Sequence, residues 1–381
     1  MKLLAKTFAG LEDVLANEID KLGGENIRII KRGVEYEGDK RLLYRSNLEL
    51  RTALRVLMPI ASFKAKHELV FYNKMKAIDW TQYMTVNQTF AVDAVVRSTL
   101  FTHSQYMGLK TKDALVDLFR EKFFKRPNVN TITPDLLINV HINEEDVTVS
   151  LDSSGDSLHK RGYRVDTLEA PINEVLAAGM IALSGWKPDV PFMDAMCGSG
   201  TFLVEAAQKA YNIPPQYGRD YFCFKRWLDF DKALFDDIIK NQQAQVNDIH
   251  HNIKGSDLSF QAIRVSERNI EAAGLKGKIE LQRKDFFKLV PETVTQEETE
   301  APTKRGVLIM NPPYDERMKM EDAQAYYKQI GDMMKKNWKG WEVWLISSNL
   351  DALKSIGLKT SRRIPLYNGA LECKFMKFEM Y

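Results

Sequence analysis

Two glycines between an apolar strand and a helix are the first residues in this sequence that could bind a ligand. The segment FMDAMCGSGTFLVEAA predicts a strand over Phe192–Ala195, a tight loop and then a helix. Gly198 and Gly200 let the backbone come close to a ligand, and the free N–H groups at the helix start favour a negative group. A third glycine and a Gly-Lys-Ser/Thr sequence are both missing, so the loop matches neither a dinucleotide fingerprint nor a phosphate-binding P-loop.

Acidic residues end this strand and the two strands predicted after it. Asp194 precedes the glycines, Asp257 ends IKGSD, and Asp285 ends LQRKD before Phe286. A carboxylate beside a glycine loop can accept both hydroxyl groups of a ribose, and Asp285 could accept from an adenine amino group with Phe286 against the ring. One such acid alone is more often a helix cap, but three around one loop favour an adenosine derivative as ligand. The predicted contacts are Asp194, Ala195, Cys197, Gly198, Ser199, Gly200, Thr201, Asp257, Asp285 and Phe286.

Cys197 lies inside the loop and could in principle be a nucleophile. No histidine lies near it in the sequence to activate the thiol, and small residues are common in such turns. We therefore expect Cys197 to be a loop residue without a covalent role.

A second unusual segment, GVLIMNPPYDER, ends a strand in a way that an ordinary turn does not require. Val307–Met310 is apolar throughout, which predicts a buried parallel strand. Prolines cannot donate to a strand ladder, so the strand must stop before Pro312 and Pro313. Asn311 and Tyr314 then stand at the end of a core strand, where polar and aromatic groups can meet a ligand.

Taken in this order, the glycine loop, the acids and Asn-Pro-Pro-Tyr resemble the class I S-adenosylmethionine-dependent methyltransferases that methylate amino groups. The resemblance implies S-adenosylmethionine as cofactor and a Rossmann-like, seven-stranded sheet. It also implies catalytic roles for Asn311, Pro312, Pro313 and Tyr314. An exocyclic amine is a poor nucleophile because its lone pair is delocalised. The Asn311 side-chain oxygen and the Pro312 carbonyl would accept its hydrogens and stabilise the developing positive charge, while Tyr314 would stack on the base.

The N-terminal half is similar to that of the THUMP-domain methyltransferases. The segments AGLEDVLANEI, KDALVD, LHKRGYR and LYNGALECKF resemble the RlmL-type group that methylates guanine N2 in large-subunit ribosomal RNA, a group also described as N6-adenine-specific methylases. The resemblance covers essentially the whole chain. It implies a ferredoxin-like segment over 1–65, a THUMP RNA-binding domain over 66–157 and a methyltransferase domain over 158–381.

This resemblance also implies that Lys160, Arg161 and Arg164 help to place ribosomal RNA. The best-known bacterial member of the group carries a second methyltransferase after this one, so a chain that stops at Tyr381 is expected to have one activity. The segment YGRDYFCFKRWLDF, from Tyr217 to Phe230, interleaves aromatic and basic residues. That pattern is typical of single-stranded RNA contacts, and equally of a core segment whose cations reach the surface.

The order of predicted elements must bring these residues together. The first half predicts small α+β units, including a strand over 90–96, a helix over 104–124 and strands over 136–142 and 147–152. From about residue 170, alternating strands and helices predict a parallel sheet, and Asn368-Gly369 marks a final hairpin. The polar run over 291–305 predicts a surface loop. The predicted sheet strands are Phe192–Ala195, Ile253–Asp257, Ile279–Asp285, Val307–Met310 and Glu342–Ser347.

Composition excludes several classes of protein. The 381 residues are 44% hydrophobic and 28% charged, with three cysteines and a net charge of +3. This predicts a folded globular chain, and the absence of paired or C-x-x-C cysteines argues for a reducing compartment and against a metal site. Neither a signal peptide nor a membrane span is predicted, so we expect a cytoplasmic protein.

Other functions share parts of this pattern. Asn-Pro-Pro-Tyr also serves adenine-N6 methyltransferases acting on DNA or RNA, and enzymes that methylate a protein glutamine. A transfer RNA guanine-N2 methyltransferase and a non-catalytic RNA-binding protein on a methyltransferase scaffold are further alternatives. The THUMP-like half argues against DNA and protein substrates. The target nucleotide and the oligomeric state stay open, with a monomer favoured.

Overall fold

The computed structural model describes residues 1–168, 171–291, 306–313 and 320–380. These residues form two units, and the chain passes between the units several times. The first unit comprises Met1–Thr7, Leu15–Leu158 and Gly218–Asn241. The second unit comprises Phe8–Val14, His159–Tyr217 and Gln242–Tyr381, within the described ranges. Neither unit is therefore one continuous stretch of sequence.

An eight-stranded sheet with helices forms the first unit. The N-terminal elements are β1 (Lys2–Lys6), α1 (Glu12–Lys21), β2 (Glu25–Ile30), β3 (Gly33–Glu37), α2 (Lys40–Glu49), β4 (Arg55–Lys64), α3 (Glu68–Lys76), β5 (Thr89–Arg97), α4 (Ser104–Phe123), β6 (Asn128–Val129), β7 (Leu136–Asn143) and β8 (Asp146–Asp152). The strand order in the sheet is β2-β3-β1-β4-β8-β7-β5-β6, and alternate positions such as Ile138 and Val140 of β7 are buried.

The aromatic and basic insert, Gly218–Asn241, belongs to the first unit. Phe222 and Phe224 are buried in its core, and the Phe224 ring stacks on Tyr44 with the ring centroids 4.5 Å apart. Arg219 donates to the backbone carbonyls of Ser154 and Asp156 at 3.2 and 2.7 Å. The prediction that these aromatic side chains contact RNA is therefore wrong, because they are covered by the core. The alternative prediction of a core segment is confirmed.

A seven-stranded sheet is the centre of the second unit, as predicted. The five predicted strands and the final hairpin are confirmed, with small differences at their ends. The elements are α5 (Glu174–Leu183), β9 (Phe192–Asp194), α6 (Thr201–Ala210), β10 (Ile253–Asp257), α8 (Phe260–Ala272), β11 (Glu280–Arg283), β12 (Gly306–Met310), α9 (Met320–Asn337), β13 (Trp341–Ser347), β14 (Arg362–Asn368) and β15 (Leu371–Glu379). Between α6 and β10, α7 (Lys232–Gln245) lies mostly in the first unit, which extends to Asn241. The loop predicted over 291–305 lies outside the described residues except for Pro291.

The order of this sheet, β11-β10-β9-β12-β13-β15-β14, creates a crevice at one edge. Strand β9 pairs in parallel with β10 on one side and with β12 on the other. The chain thus adds β10 and β11 on one side of β9 and then crosses to the other side to add β12. Ligands of open α/β sheets bind outside the carboxyl ends of the strands at such a switch point. The ends of β9, β10 and β12 are therefore the place to look for a site.

Three further properties bear on function. None of the described helices is long and apolar enough to cross a membrane. Within the described ranges, no group of three or more His, Cys, Asp or Glu side chains is placed to hold a metal ion. All three cysteines are buried and have free thiols.

Candidate active site

A cavity of about 680 Å³ lies at the carboxyl ends of these strands in the second unit. All predicted cofactor contacts except Gly200 line it, as do Asn311, Pro312 and Pro313. Tyr314 lies outside the described residues. The cavity also contacts residues that the sequence analysis did not identify, namely Leu168, Pro171, Ile172, Met196, Phe202, Leu258, Ser259, Phe287 and Tyr326.

The glycine loop owes its shape to two residues with positive φ. Gly198 and Gly200 have φ angles of 53° and 79°, a region that side chains with a Cβ rarely adopt. A Cβ at Gly200 would also lie 3.1 Å from the Ser266 hydroxyl oxygen. Glycine is thus required at Gly200 for backbone conformation and for packing against α8.

Asp285 caps a short 3-10 helix, whereas α8 is capped by Ser259 rather than by Asp257, and both acids line the cavity. Asp257 accepts hydrogen bonds from the N–H groups of Gly198 and Ser259 at 3.0 and 2.9 Å. Asp285 accepts from the Phe287 N–H at 3.0 Å. Each carboxylate oxygen has two lone pairs, so these bonds leave acceptor capacity for the hydroxyl and amino groups of a ligand. The two interpretations are thus compatible for Asp285.

Burial dominates the electrostatics of the loop. Burial raises the pKa of Asp194 to about 8, and the nearby Asp257 carboxylate acts in the same direction against the stabilising N–H of Met196. Burial, together with Asp194 and Asp257, also raises the pKa of the Cys197 thiol well above its ordinary value. A protonated thiol is a poor nucleophile, which agrees with the expectation of a non-covalent role for Cys197.

The raised pKa of Asp194 predicts a pH-dependent stability in the absence of cofactor. Between its ordinary pKa of 3.8 and about 8, the folded state keeps a proton that the unfolded state has lost. The free energy of unfolding should therefore fall as pH rises through this window, by up to about 1.4 kcal/mol per pH unit from this group. Asp194→Asn should flatten the slope, measured by chemical denaturation with tryptophan fluorescence.

Asp189 provides the matched control, because it is an exposed aspartate in the same unit. Asp189→Asn should leave the slope of the wild-type protein unchanged. An identical slope in wild type and Asp194→Asn would show that Asp194 is ionised in the folded state.

Asn311 brings an unused acceptor to the same cavity. Its Oδ1 atom is buried and has no hydrogen-bond partner among the described residues. A buried unpaired acceptor costs about 1–3 kcal/mol, so this arrangement is unfavourable unless a ligand supplies a donor. The cavity thus offers carboxylates for hydroxyl and amino groups at β10 and β11, and an amide oxygen for a second donor at β12.

Aromatic side chains form the wall beside Asp285. Phe286 is buried and its ring stacks on Trp338, with the ring centroids 6.2 Å apart. The Phe287 ring packs edge-on against Tyr326, with the ring centroids 5.5 Å apart. Phe287 could have been found from the sequence because it adjoins the predicted Phe286. Tyr326 lies on α9, and its distance in sequence from the loop gave no signal of a role.

The structure contradicts the predicted RNA contact of Arg161, whereas the predicted RNA contact of Arg164 stays a proposal. The Arg161 side chain is 0% exposed and pairs with Glu205 of α6 at 3.3 Å, and the Tyr163 hydroxyl donates to the same carboxylate at 3.1 Å. A buried guanidinium with a buried carboxylate cannot contact a polyanion in this conformation. Lys160 is exposed and keeps its RNA role as a proposal.

Arg164 stabilises the glycine loop through hydrogen bonds. Its guanidinium donates to Glu174 at 2.7 Å, to the Ile172 carbonyl at 2.9 Å, and to the hydroxyls of Ser199 and Thr201 at 3.2 and 3.1 Å. One planar group therefore joins α5, the segment before it and the start of α6. Ile172, Ser199 and Thr201 all line the cavity, so Arg164 positions its walls.

Asn269 of α8 completes this support. Its side-chain oxygen accepts from the N–H groups of Val165 and Asp166, and its amide nitrogen donates to the carbonyls of Asp166 and Ser199. These four bonds, between 2.9 and 3.2 Å, satisfy a side chain that is almost fully buried. The segment after LHKRGYR is thus fixed to the glycine loop.

We expect Arg164→Met to weaken S-adenosylmethionine binding by about tenfold, because the loss of charged hydrogen bonds worth roughly 1.5–3 kcal/mol loosens the loop. Calorimetry would give the affinity, and amide hydrogen exchange over 195–201 should become faster. Arg164→Lys should restore part of the affinity, since a single ammonium cannot reach all four acceptors.

Arg268→Met is the control, because Arg268 pairs with Asp166 of the same segment but at the exposed surface. It should change neither the affinity nor the exchange. Unchanged values in Arg164→Met would remove Arg164 from the support of the cavity.

Comparisons with known proteins agree with this geometry. The chain is 38% identical over 379 residues to the "Putative RNA methyltransferase slr0064" of Synechocystis sp., covering 99% of this chain and 96% of that protein. It is 35% identical over 390 residues to the ribosomal RNA large subunit methyltransferase K/L of Syntrophotalea carbinolica, covering all of this chain but only 54% of that longer protein. The crystal structure of "SMU.472, a putative methyltransferase complexed with SAH" superposes with a TM-score of 0.88 at 30% identity, covering 100% of this chain and 98% of that one.

The sheet order, the glycine loop and the cavity define a class I methyltransferase that uses S-adenosylmethionine. The RMKL-like methyltransferase domain matches residues 161–377, the THUMP domain 65–152 and the RlmL ferredoxin-like domain 2–57, and the chain belongs to this methyltransferase family. The predicted fold class, family and cofactor are confirmed.

Proposed function

We propose that this protein transfers a methyl group from S-adenosylmethionine to the exocyclic N2 amine of a guanine in 23S ribosomal RNA. The observation that carries the proposal is the buried Asn311 oxygen, which has no hydrogen-bond partner among the described residues and lies beside a cavity with acceptors for an adenosine group. The THUMP match and the names of the relatives support an RNA substrate, and the methyltransferase K/L relative supports ribosomal RNA. Because that relative is much longer than this chain, its substrate is carried over only as a proposal.

The residues of the cavity divide the work between binding and chemistry. Asp257 accepts the ribose hydroxyls and Asp285 the adenine amino group, while the glycine loop takes the methionyl part of the cofactor. When bound, the cofactor supplies an electrophilic methyl group on its sulfonium. Asn311 Oδ1 and the Pro312 carbonyl accept hydrogen bonds from the two N–H groups of the target amine. These acceptors raise the electron density on nitrogen and stabilise the positive charge that develops there. As the amine nitrogen bonds to the methyl carbon, the bond from that carbon to the sulfonium sulfur breaks, and the nitrogen afterwards releases one proton to solvent.

A substitution at Asn311 distinguishes an effect on methyl transfer from an effect on the stability of the fold. Asn311→Ala should lower methyl transfer by roughly 10²-fold or more, because an acceptor for the developing charge is lost. The melting temperature should stay the same or rise, since the substitution removes a buried acceptor that has no hydrogen-bond partner within the described ranges. Cofactor affinity, measured by calorimetry, should be nearly unchanged.

A merely structural role for Asn311 would produce the opposite pattern, with a lower melting temperature and lost cofactor binding. Asn311→Asp keeps the size and the acceptor and serves as the matched variant. Wild-type turnover in Asn311→Ala would refute the proposed activation of the amine.

The substrate is tested by competition among nucleic acids. The intact protein with labelled S-adenosylmethionine should label deproteinised 23S ribosomal RNA, and nuclease digestion should release N2-methylguanosine. Transfer RNA and duplex DNA should remain unlabelled. Because phosphate contacts contribute to binding, the activity should fall steeply as salt concentration rises.

Label found as N6-methyladenine in DNA or RNA, with none in ribosomal guanine, would replace this proposal by adenine methylation. Label in transfer RNA guanine alone would retain the chemistry but change the substrate. The Asn311→Ala protein is the negative control, since it should bind cofactor without transferring label.

A further inference from the structure

A segment after α4 in the first unit exposes large apolar side chains on its surface. The residues KFFKRPNVNTITP, 122–134, begin with the last two residues of this helix and contain the short strand β6. Phe124 is 93% exposed and Ile132 is 86% exposed, and Phe123 and Val129 are also largely accessible. Single exposed apolar side chains are common on protein surfaces, but four of them in one short segment, two of them almost fully exposed, mark a candidate contact surface for a partner.

The backbone conformation of Phe124 is also unfavourable for an aromatic residue. It ends α4 with φ 54° and ψ 20°, and its N–H donates to the Arg120 carbonyl at 2.9 Å. Glycine, or sometimes asparagine, is preferred at such a left-handed helix end, because other side chains crowd the backbone. Neither conformation nor burial therefore accounts for phenylalanine at this position.

The segment is ordered by bonds within the first unit. Asn130 accepts from the N–H groups of Ile132 and Thr133 at 3.0 and 3.1 Å, which fixes the turn that presents Ile132. Val129 pairs with Phe90 of β5, and Pro127 is buried. The exposed side chains thus stand on a prearranged backbone, which lowers the cost of ordering on binding.

The charged residues within this segment are all positive, although Glu121 and Asp135 adjoin it in the sequence. Residues 122–134 contain three cations and no acid, and Lys122 pairs with Asp79. Lys125 and Arg126 are exposed and have no ion-pair partner in the part of the chain that the structure describes. An apolar and aromatic surface with unpaired cations complements a polyanion whose bases offer flat faces, which describes single-stranded nucleic acid.

We propose that the segment 122–134 is a docking surface for single-stranded RNA, in which an unpaired base stacks on Phe124 and neighbouring phosphates contact Lys125 and Arg126. The inference rests on the proposed function for the choice of RNA. For the segment from Tyr217 to Phe230, the sequence left RNA contact and a core role equally open. In the structure its residues Phe222, Phe224 and Trp227 are buried in the core, while Phe124 is accessible.

The first test replaces Phe124 by asparagine, which tolerates a left-handed backbone. Phe124→Asn should weaken binding of a fluorescein-labelled single-stranded RNA of about twelve nucleotides by about tenfold in fluorescence anisotropy. Its melting temperature should be unchanged or higher. Leu69→Gln is the control, because Leu69 is a 65% exposed apolar residue on α3 of the same unit. It should not change RNA binding.

The second test separates stacking from charge. In Lys125→Gln/Arg126→Gln, the dependence of log affinity on log salt should become less steep by about 1.4, because two phosphate contacts to a single strand are lost. Phe124→Asn should keep the wild-type salt dependence. Ultraviolet crosslinking of the labelled RNA, followed by peptide mapping, should identify residues 122–134.

Wild-type affinity and salt dependence in both variants, or crosslinks confined to other segments, would overturn the docking surface. Binding only to a ribosomal protein, with none to RNA alone, would do the same. These measurements need no methyl transfer, so the two proposals can fail separately. A chain that loses RNA affinity on Phe124→Asn but methylates no RNA would refute the enzymatic proposal alone.

Discussion

The parallel pairing of β9 with β10 on one side and β12 on the other is the interaction on which the active site depends. Because the three strands run in the same direction, their carboxyl ends meet at one edge. The chain visits β10 and β11 first and crosses to β12 only later. Acidic residues therefore come to the cavity from one side, and Asn311 comes from the other. The cavity is therefore lined from both halves of the sheet.

Much of this arrangement could be predicted because its signals are local. An apolar run followed by Gly-Ser-Gly or by Asn-Pro-Pro predicts both a strand and the place where it ends. Helix α5 has no local signal of this kind. It is apolar and buried on almost every face, so it has no helical periodicity in its hydrophobic residues. A periodic pattern of hydrophobic residues indicates an element that is buried on one face only. A helix that is buried on all faces has no such pattern.

The wrong predictions share a different cause. The Arg161 side chain is buried and forms an ion pair with Glu205. The Phe224 ring stacks on Tyr44, which lies much earlier in the sequence. Basic residues among aromatic residues look alike in sequence whether they face RNA or a core. Only the tertiary partner distinguishes them, and that partner is set by the fold rather than by spacing. Phe124 shows the converse, since nothing in its local sequence indicates that its side chain is exposed.

The discontinuity of the two units has a consequence for biosynthesis. The insert Gly218–Asn241 supplies Phe222 and Phe224 to a core whose other members almost all precede residue 159. On the ribosome, the first unit cannot close its core until the chain has grown beyond residue 241 and the insert has left the exit tunnel. The nascent chain must therefore carry an open apolar surface while much of the second unit is synthesised. Such a surface is a binding site for chaperones, so this protein should depend on them more during synthesis than its two compact units suggest.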